Sequence, residues 1–128
     1  QRVDTGWAWA KKLNIPAGAK LGDTVYLSGI CSLDDAGNVE AKGDVYGQSK
    51  RTFENIEEAL ACAGATMADV VKITTYLTDI STYPDFAKAR TEAFPDGVPA
   101  STAVATPALV MPELLVEVEA MAVIGSGG

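Results

Sequence analysis

Two glutamates near the C-terminal end and a Ser-Gly pair nearer the start are the residues best suited to chemistry. Glu117 and Glu119 alternate with apolar residues, which places both carboxylates on one face of a strand, about 6.5 to 7 Å apart. That separation frames a water molecule or a small ligand. Ser28 offers a hydroxyl, and Gly29 lets a ligand approach the backbone closely. The alternative is that the glutamates pair with Lys72 or line a wet subunit contact.

Histidine is absent from the 128 residues. Its absence excludes Ser-His-Asp and Cys-His catalysis and the usual histidine-containing zinc sites. The two cysteines, Cys31 and Cys62, lack the spacing of a metal or redox motif, so we interpret both as reduced packing side chains. No metal site is expected, and any chemistry must come from carboxylates, hydroxyls and backbone groups.

The composition indicates one acidic globular domain over residues 1–128. Ten basic residues against 17 acidic ones give a formal net charge of −7, which repels nucleic acids and anionic membranes. No apolar run is long enough to cross a bilayer, and no signal-peptide pattern is visible. We therefore expect a cytoplasmic protein with neither a nucleic-acid nor a membrane partner.

Apolar periodicity predicts the elements that position these residues. Strands are predicted at residues 24–28, 71–78, 101–106 and 114–124, and helices at about residues 44–63 and 84–94. Residues 1–14 are predicted to dock through Trp7 and Trp9, and residues 125–128 form a tail. The fold class is therefore α/β (α+β), with one sheet and both helices packed on one face.

The opposite face of that sheet is too apolar for plain solvent and too polar for a core. Its predicted members are Tyr26, Ser28, Lys72, Tyr76, Leu115, Glu117, Glu119 and Met121. Mixed faces of this kind are often subunit contacts, so we expect a homo-oligomer with polar pockets between the chains.

Five ordered blocks carry a resemblance to a known family. They are VYLSG at residues 25–29, NIEEALACAGA at 55–65, DVVKITTYLTD at 69–79, PAST at 99–102 and VEVEA at 116–120. In this order and register, over residues 21–123, they closely resemble the reactive intermediate deaminase family, also called Rid or YjgF and often labelled L-PSP endoribonuclease. The resemblance implies a chorismate-mutase-like fold and a homotrimer. It also implies small-molecule pockets between subunits, where enamines or imines are hydrolysed to a carbonyl compound and ammonia without a cofactor.

The family pocket is matched only in part. Ser28, Gly29 and Glu117 stand where the family has its Ser-Gly pair and the first glutamate of its Glu-x-Glu strand. The substrate-binding arginine that follows a Pro-Ala step is replaced by Ser101. A serine cannot make the paired charge-assisted bonds of an arginine, and losing them costs a carboxylate ligand on the order of a hundredfold in affinity. The chain thus resembles the arginine-lacking branches of the family.

Three classes of function follow from the resemblance. The first is a deaminase in which Glu117 is the catalytic residue, Ser28 and Gly29 hold the ligand, and Ser101 and Thr102 offer hydroxyls in place of the arginine. Such a ligand would be uncharged or differently charged. The second is a non-catalytic binding or regulatory protein, and the third and weakest is a ribonuclease or translation inhibitor. Arg90, on the second predicted helix, is interpreted as a surface or interface charge rather than a substitute for the arginine.

Overall fold

A six-stranded sheet and three helices make up the computed structural model of the chain, which describes residues 1–128. The strands are β1 (Arg2–Val3), β2 (Gly18–Leu21), β3 (Thr24–Leu27), β4 (Val70–Leu77), β5 (Ala100–Ala105) and β6 (Val116–Val123). The helices are α1 (Ala8–Leu13), α2 (Val45–Cys62) and α3 (Tyr83–Ala93). The strand order is β1-β2-β3-β6-β4-β5, and all neighbours are antiparallel except β4 and β5, which are parallel.

The last strand of the chain, β6, lies in the interior of the sheet between β3 and β4. Its alternate residues are buried beneath the helices: Val116, Val118, Ala120 and Ala122. The intervening residues lie on the face without helices, which we call the open face; Glu117, Glu119 and Met121 are among them. Because side chains alternate along a strand, the buried valines determine that both glutamates share the open face.

Helix α2 has the ends that its sequence predicts. The carboxylate of Asp44 accepts a hydrogen bond from the Gly47 amide at 3.0 Å, which caps the first turn. Gly64 follows the helix with a φ of +83°, and the Ala65 amide donates to the Leu60 carbonyl at 2.9 Å. This is the Schellman ending, in which a left-handed residue, best filled by glycine, closes the helix.

Aromatic side chains join α2 to α3 above the sheet. Phe53 of α2 lies with its ring centroid 5.9 Å from that of Phe86 and 5.6 Å from that of Phe94, the second pair edge to face. All three are buried in a core of 22 residues that also includes the buried faces of β3, β4 and β6. The two predicted helices therefore pack on one face of the sheet, as expected.

The final strand is shorter than the predicted residues 114–124. Gln48, which is fully buried on α2, donates to the Glu113 carbonyl and accepts from the Leu115 amide, each at 2.9 Å. These bonds tie the start of the predicted strand to the helix, so regular strand geometry begins only at Val116. Gln48 lies more than 60 residues before this strand, so the local sequence pattern does not predict that its side chain binds there.

The N-terminal elements α1, β1 and β2 were not predicted as regular structure. Trp7 is buried in the main core and stacks on Trp9 at 6.0 Å between ring centroids. β2 and β3 form a hairpin whose two-residue loop starts with Gly22, at a φ of +60°. β1 has only two residues, α1 is shorter than two turns, and β2 lacks the apolar alternation that marks β3, so the sequence carries no periodic signal for them. None of the helices is long and apolar enough to cross a membrane.

Replacing Gln48 with leucine should destabilise the fold by about 2 to 4 kcal/mol, because the Leu115 amide and the Glu113 carbonyl lose their partners inside the protein. Urea unfolding followed by circular dichroism measures this. Glu58→Gln, on the exposed side of the same helix, is the matched control and should change the free energy of unfolding by less than about 0.5 kcal/mol. Equal stability of the two variants would contradict the role given to Gln48.

Candidate functional site

Glu117 lies against the backbone of Gly29. An antiparallel bridge pairs Ile30 with Val118, with amide-to-carbonyl distances of 2.8 and 3.0 Å, which sets Glu117 opposite Cys31 and diagonally across from Gly29. A Cβ atom at position 29 would lie 2.8 Å from Glu117 Cδ, closer than packed atoms come. Glycine is therefore required at this position for the carboxylate to occupy its place.

Cys31 holds the other side of the Glu117 carboxylate. Its thiol donates to Glu117 Oε1 at 3.0 Å, and its side chain packs with Val39 and Leu114. Burial raises the pKa of the Cys31 thiol far above its usual range, and the hydrogen bond to Glu117 and the charge of that carboxylate raise it further. The thiol is thus a protonated donor that orients Glu117, not a nucleophile.

Ser28 is oriented by the segment that precedes β2. Its hydroxyl donates to the Pro16 carbonyl at 2.9 Å, and its amide donates to the Ala17 carbonyl at 2.8 Å. Because the hydroxyl proton is used in the bond to Pro16, the Ser28 hydroxyl can act toward a ligand only as a hydrogen-bond acceptor. Because Ser28 directly precedes Gly29, which contacts Glu117, these three predicted site residues lie close together within one chain.

Glu119 is held by a tyrosine rather than by a lysine. Tyr76 of β4 donates from its hydroxyl to Glu119 Oε1 at 2.6 Å. This bond, together with the negative charge of Glu119, raises the pKa of Tyr76. The predicted alternative of a Lys72 ion pair is wrong, because Lys72 Nζ instead donates to Thr102 Oγ1 at 2.6 Å. The one ion pair in the chain joins Arg2 and Asp4.

Ser101 and Thr102 lie on opposite faces of the sheet. On the edge strand β5, Ser101 is paired with the fully buried Ile73 and faces the helices, whereas Thr102 is paired with Thr74 on the open face. Within one chain the structure thus does not bring Ser101 to Glu117. Thr102 shares the face of the glutamates, but two strand spacings, about 10 Å, separate β5 from β6.

Arg90, which the sequence predicts to be a surface or interface charge, is half-buried and contacts Ser101. Its Nη1 donates to Ser101 Oγ at 3.0 Å from the last turns of α3. Both hydroxyls of the Ser101-Thr102 pair therefore receive a hydrogen bond from a cationic side chain.

No cavity of a single chain encloses Glu117. The open face has a depression of about 290 Å³, whose polar lining consists of Tyr26, Lys72, Thr74 and Glu119. Four larger cavities of about 310 to 410 Å³ lie elsewhere and contain neither glutamate. No cluster of side chains suited to a metal ion is present, so the site consists of a carboxylate, a thiol, hydroxyls and backbone.

Three partners of the site were beyond sequence reasoning. Cys31 was interpreted only as a packed thiol, although its nearness to Ser28-Gly29 was visible. The bonds from Tyr76 to Glu119 and from Arg90 to Ser101 depend on strand register and helix rotation, which no local pattern determines.

Comparison with known proteins identifies the family. A family model described as Endoribonuclease L-PSP matches residues 15–124. The chain belongs to this family. The 3-aminoacrylate deaminase RutC of Acinetobacter baylyi is 34% identical over 108 residues, 84% of each chain. The crystal structure of RidA from the Antarctic bacterium Psychrobacter sp. PAMC 21119 has a TM-score of 0.87 and 30% identity over 97% of this chain and 99% of that one.

A second solved structure agrees with these. Rv2704 of Mycobacterium tuberculosis, described as a member of the YjgF/YER057c/UK114 family, has a TM-score of 0.82 at 31% identity and covers 97% of this chain and 98% of its own. The resemblance to the Rid and YjgF family and the single-sheet α+β fold are therefore confirmed.

The two cysteines should differ sharply in reactivity. At mildly alkaline pH a chromogenic disulfide reagent should label the exposed Cys62 of the native protein, while the protonated and buried Cys31 reacts only after unfolding. Cys62→Ser is the control and should leave no reactive thiol in the native state. Rapid labelling of two thiols per native chain would contradict the environment described for Cys31.

The pKa of Tyr76 should report its bond to Glu119. In Glu119→Gln the neighbouring charge is lost, so phenolate formation is no longer opposed and the Tyr76 pKa should fall toward its usual value of about 10. Tyrosine ring resonances followed by NMR over an alkaline titration measure the shift. In the control Glu92→Gln only Tyr46 should move, since its hydroxyl donates to Glu92 Oε1 at 2.6 Å. An unchanged Tyr76 titration in Glu119→Gln would refute the bond.

Proposed function

We propose that this protein hydrolyses a small enamine or imine to a carbonyl compound and ammonia, with Glu117 as the catalytic residue. The observation that carries the proposal is the Glu117 carboxylate held between the Cys31 thiol and the Gly29 backbone. The family relation to a protein named as a 3-aminoacrylate deaminase supports this reaction class. No cofactor takes part, because addition of water to a protonated imine needs only a proton acceptor and a donor.

Glu117 moves the protons of the reaction. As the water oxygen bonds to the carbon of a protonated imine, Glu117 takes one water proton and the C=N π electrons become the nitrogen lone pair. Glu117 then returns the proton to nitrogen. The C–N bond breaks as the carbonyl forms, and the hydroxyl proton leaves with ammonia as ammonium. Oε2 is suited to this role, since Oε1 accepts from Cys31.

The complete pocket forms between copies of the chain, with three chains in a homotrimer. Two observations support this arrangement. Ser101 and Glu117 lie on opposite faces, so both can line one pocket only when they come from different chains. The open face and its edge strand also expose apolar side chains, among them Tyr26 at 49% and Val104 at 42%. A neighbouring β5 then covers Glu117 and shields the pocket from bulk solvent.

RNA is a poor substrate for this site. The chain carries a net charge of −7, and the open face presents two carboxylates to any approaching phosphate. Nor is there a histidine or a metal cluster to activate a ribose hydroxyl.

The test is ammonia release from 2-aminoacrylate and 3-aminoacrylate generated in situ. Glu117→Gln should lower kcat at least about a hundredfold, the usual contribution of a proton-transfer residue. Glu119→Gln removes the same charge two residues away on the same face and is the matched control, expected to stay within about threefold of the native rate. Light scattering should give the same assembly mass for all three proteins.

The outcome separates the deaminase from a protein that only binds. Equal rates in Glu117→Gln and the native protein would remove Glu117 from the mechanism. Ligand binding by the native protein with no ammonia above the uncatalysed background would instead identify a non-catalytic binding protein and overturn the proposal.

A further inference from the structure

Arg90 is a cation held in place without an anion. Its guanidinium carbon lies 5.4 Å from the ring centroid of Tyr83 and 5.5 Å from that of Phe86. Its Nη1 donates to Ser101 Oγ, and no carboxylate of the chain pairs with it, since the one ion pair joins Arg2 and Asp4. Two aromatic contacts and one hydrogen bond therefore fix the direction of this side chain.

Most of the hydrogen-bonding capacity of Arg90 is unused. A guanidinium has five N–H donors in a planar fork, and only one of them has a partner within the chain. The Nε atom is buried without any acceptor. Partial burial of an unpaired charge is unfavourable, and an anion beside the guanidinium would remove much of that cost.

The position of this guanidinium connects it to the ligand pocket. Ser101 is an exposed residue of the edge strand β5, directly after Pro99-Ala100. In the proposed function β5 forms one wall of the pocket. The positive charge of Arg90, on α3, thus lies beside β5, whose own polar side chains are the hydroxyls of Ser101 and Thr102.

We infer that Arg90, reaching over Ser101 from α3, binds a carboxylate of the ligand, and that the ligand is consequently a carboxylate-bearing imine or enamine. This inference rests on the proposed function for the placement of β5 in the pocket. It reverses the expectation of an uncharged ligand that follows from Ser101 alone. The guanidinium offers its free N–H groups to the carboxylate oxygens, and the Ser101 hydroxyl, which accepts from Arg90, donates its own proton to one of them.

Lys72 is the other cation at this strand, but it lies on the open face and donates to Thr102. It is a point charge on a flexible stem without aromatic contacts, so it lacks the fixed fork that recognises a planar carboxylate.

The test measures binding separately from turnover. Pyruvate is the carboxylate probe and acetone the uncharged one, and both are titrated into native protein and variants while amide NMR shifts are followed. Arg90→Gln should weaken pyruvate binding at least about tenfold and leave acetone shifts unchanged, whereas Arg90→Lys, which keeps the charge but not the fork, should lie in between. Lys88→Gln is the matched control: it removes one charge from the same helix, where Lys88 lies over the Tyr46 ring, and should bind pyruvate like the native protein.

Three results would overturn the inference. The first is native pyruvate affinity in Arg90→Gln. The second is a loss in Lys88→Gln equal to that in Arg90→Gln, which would indicate a general charge effect. The third is a fall in assembly mass in Arg90→Gln with native pyruvate affinity restored at high protein concentration, which would show that Arg90 pairs with a carboxylate of another copy. If Arg90→Gln does not fold, Arg90→Lys and Ser101→Ala carry the same comparison.

These measurements distinguish this inference from the proposed function. Native ammonia release that is lost in Glu117→Gln, together with unchanged pyruvate affinity in Arg90→Gln, retains the deaminase and rejects the role of Arg90. Absence of ammonia release with a selective loss of pyruvate binding in Arg90→Gln rejects the deaminase and retains the carboxylate site.

Discussion

The close approach of a carboxylate to a bare backbone is the constraint on which the candidate site depends. Glu117 occupies the space that any side chain at position 29 would fill. The approach exists because Ile30 and Val118 pair as a bridge, which continues the contact between β3 and β6 beyond the end of β3. A single backbone pairing thus determines where the carboxylate lies, which oxygen the Cys31 thiol can reach, and which oxygen remains for a ligand.

The buried alternation of β6 is what makes this arrangement stable. Valines and alanines beneath α2 hold the strand in one register, and a slip of one residue would place both glutamates in the core. The cost of burying two carboxylates without partners far exceeds that of losing a few contacts, so the register that packs the core is also the one that presents Glu117 and Glu119. The same strand register therefore packs the core and places both glutamates on the open face.

Sequence patterns predicted the parts of the molecule that depend on local periodicity. They predicted α2, α3, β3, β4, β5 and β6 to within one or two residues, and the shared face of the glutamates, because burial imposes repeats of two or 3.6 residues on these segments. They did not predict what depends on contacts between distant segments. Gln48 shortens β6, Cys31 orients Glu117 and Arg90 reaches Ser101 across 67, 86 and 11 residues of sequence, respectively.

Two cations from neighbouring elements lie beside β5, although the strand itself has no charged residue. The family resemblance leads one to expect an arginine at the position of Ser101, and the sequence alone therefore suggests that this strand lacks a positive charge. In the folded chain, however, α3 carries Arg90 to the Ser101 hydroxyl, and β4 carries Lys72 to the Thr102 hydroxyl. Because a small side chain on an edge strand leaves room for a long one from the neighbouring helix, the electrostatic character of the strand is set by its surroundings. The charge beside β5 therefore depends on which side chains of α3 and β4 reach the strand, and the residue type at position 101 does not determine it alone.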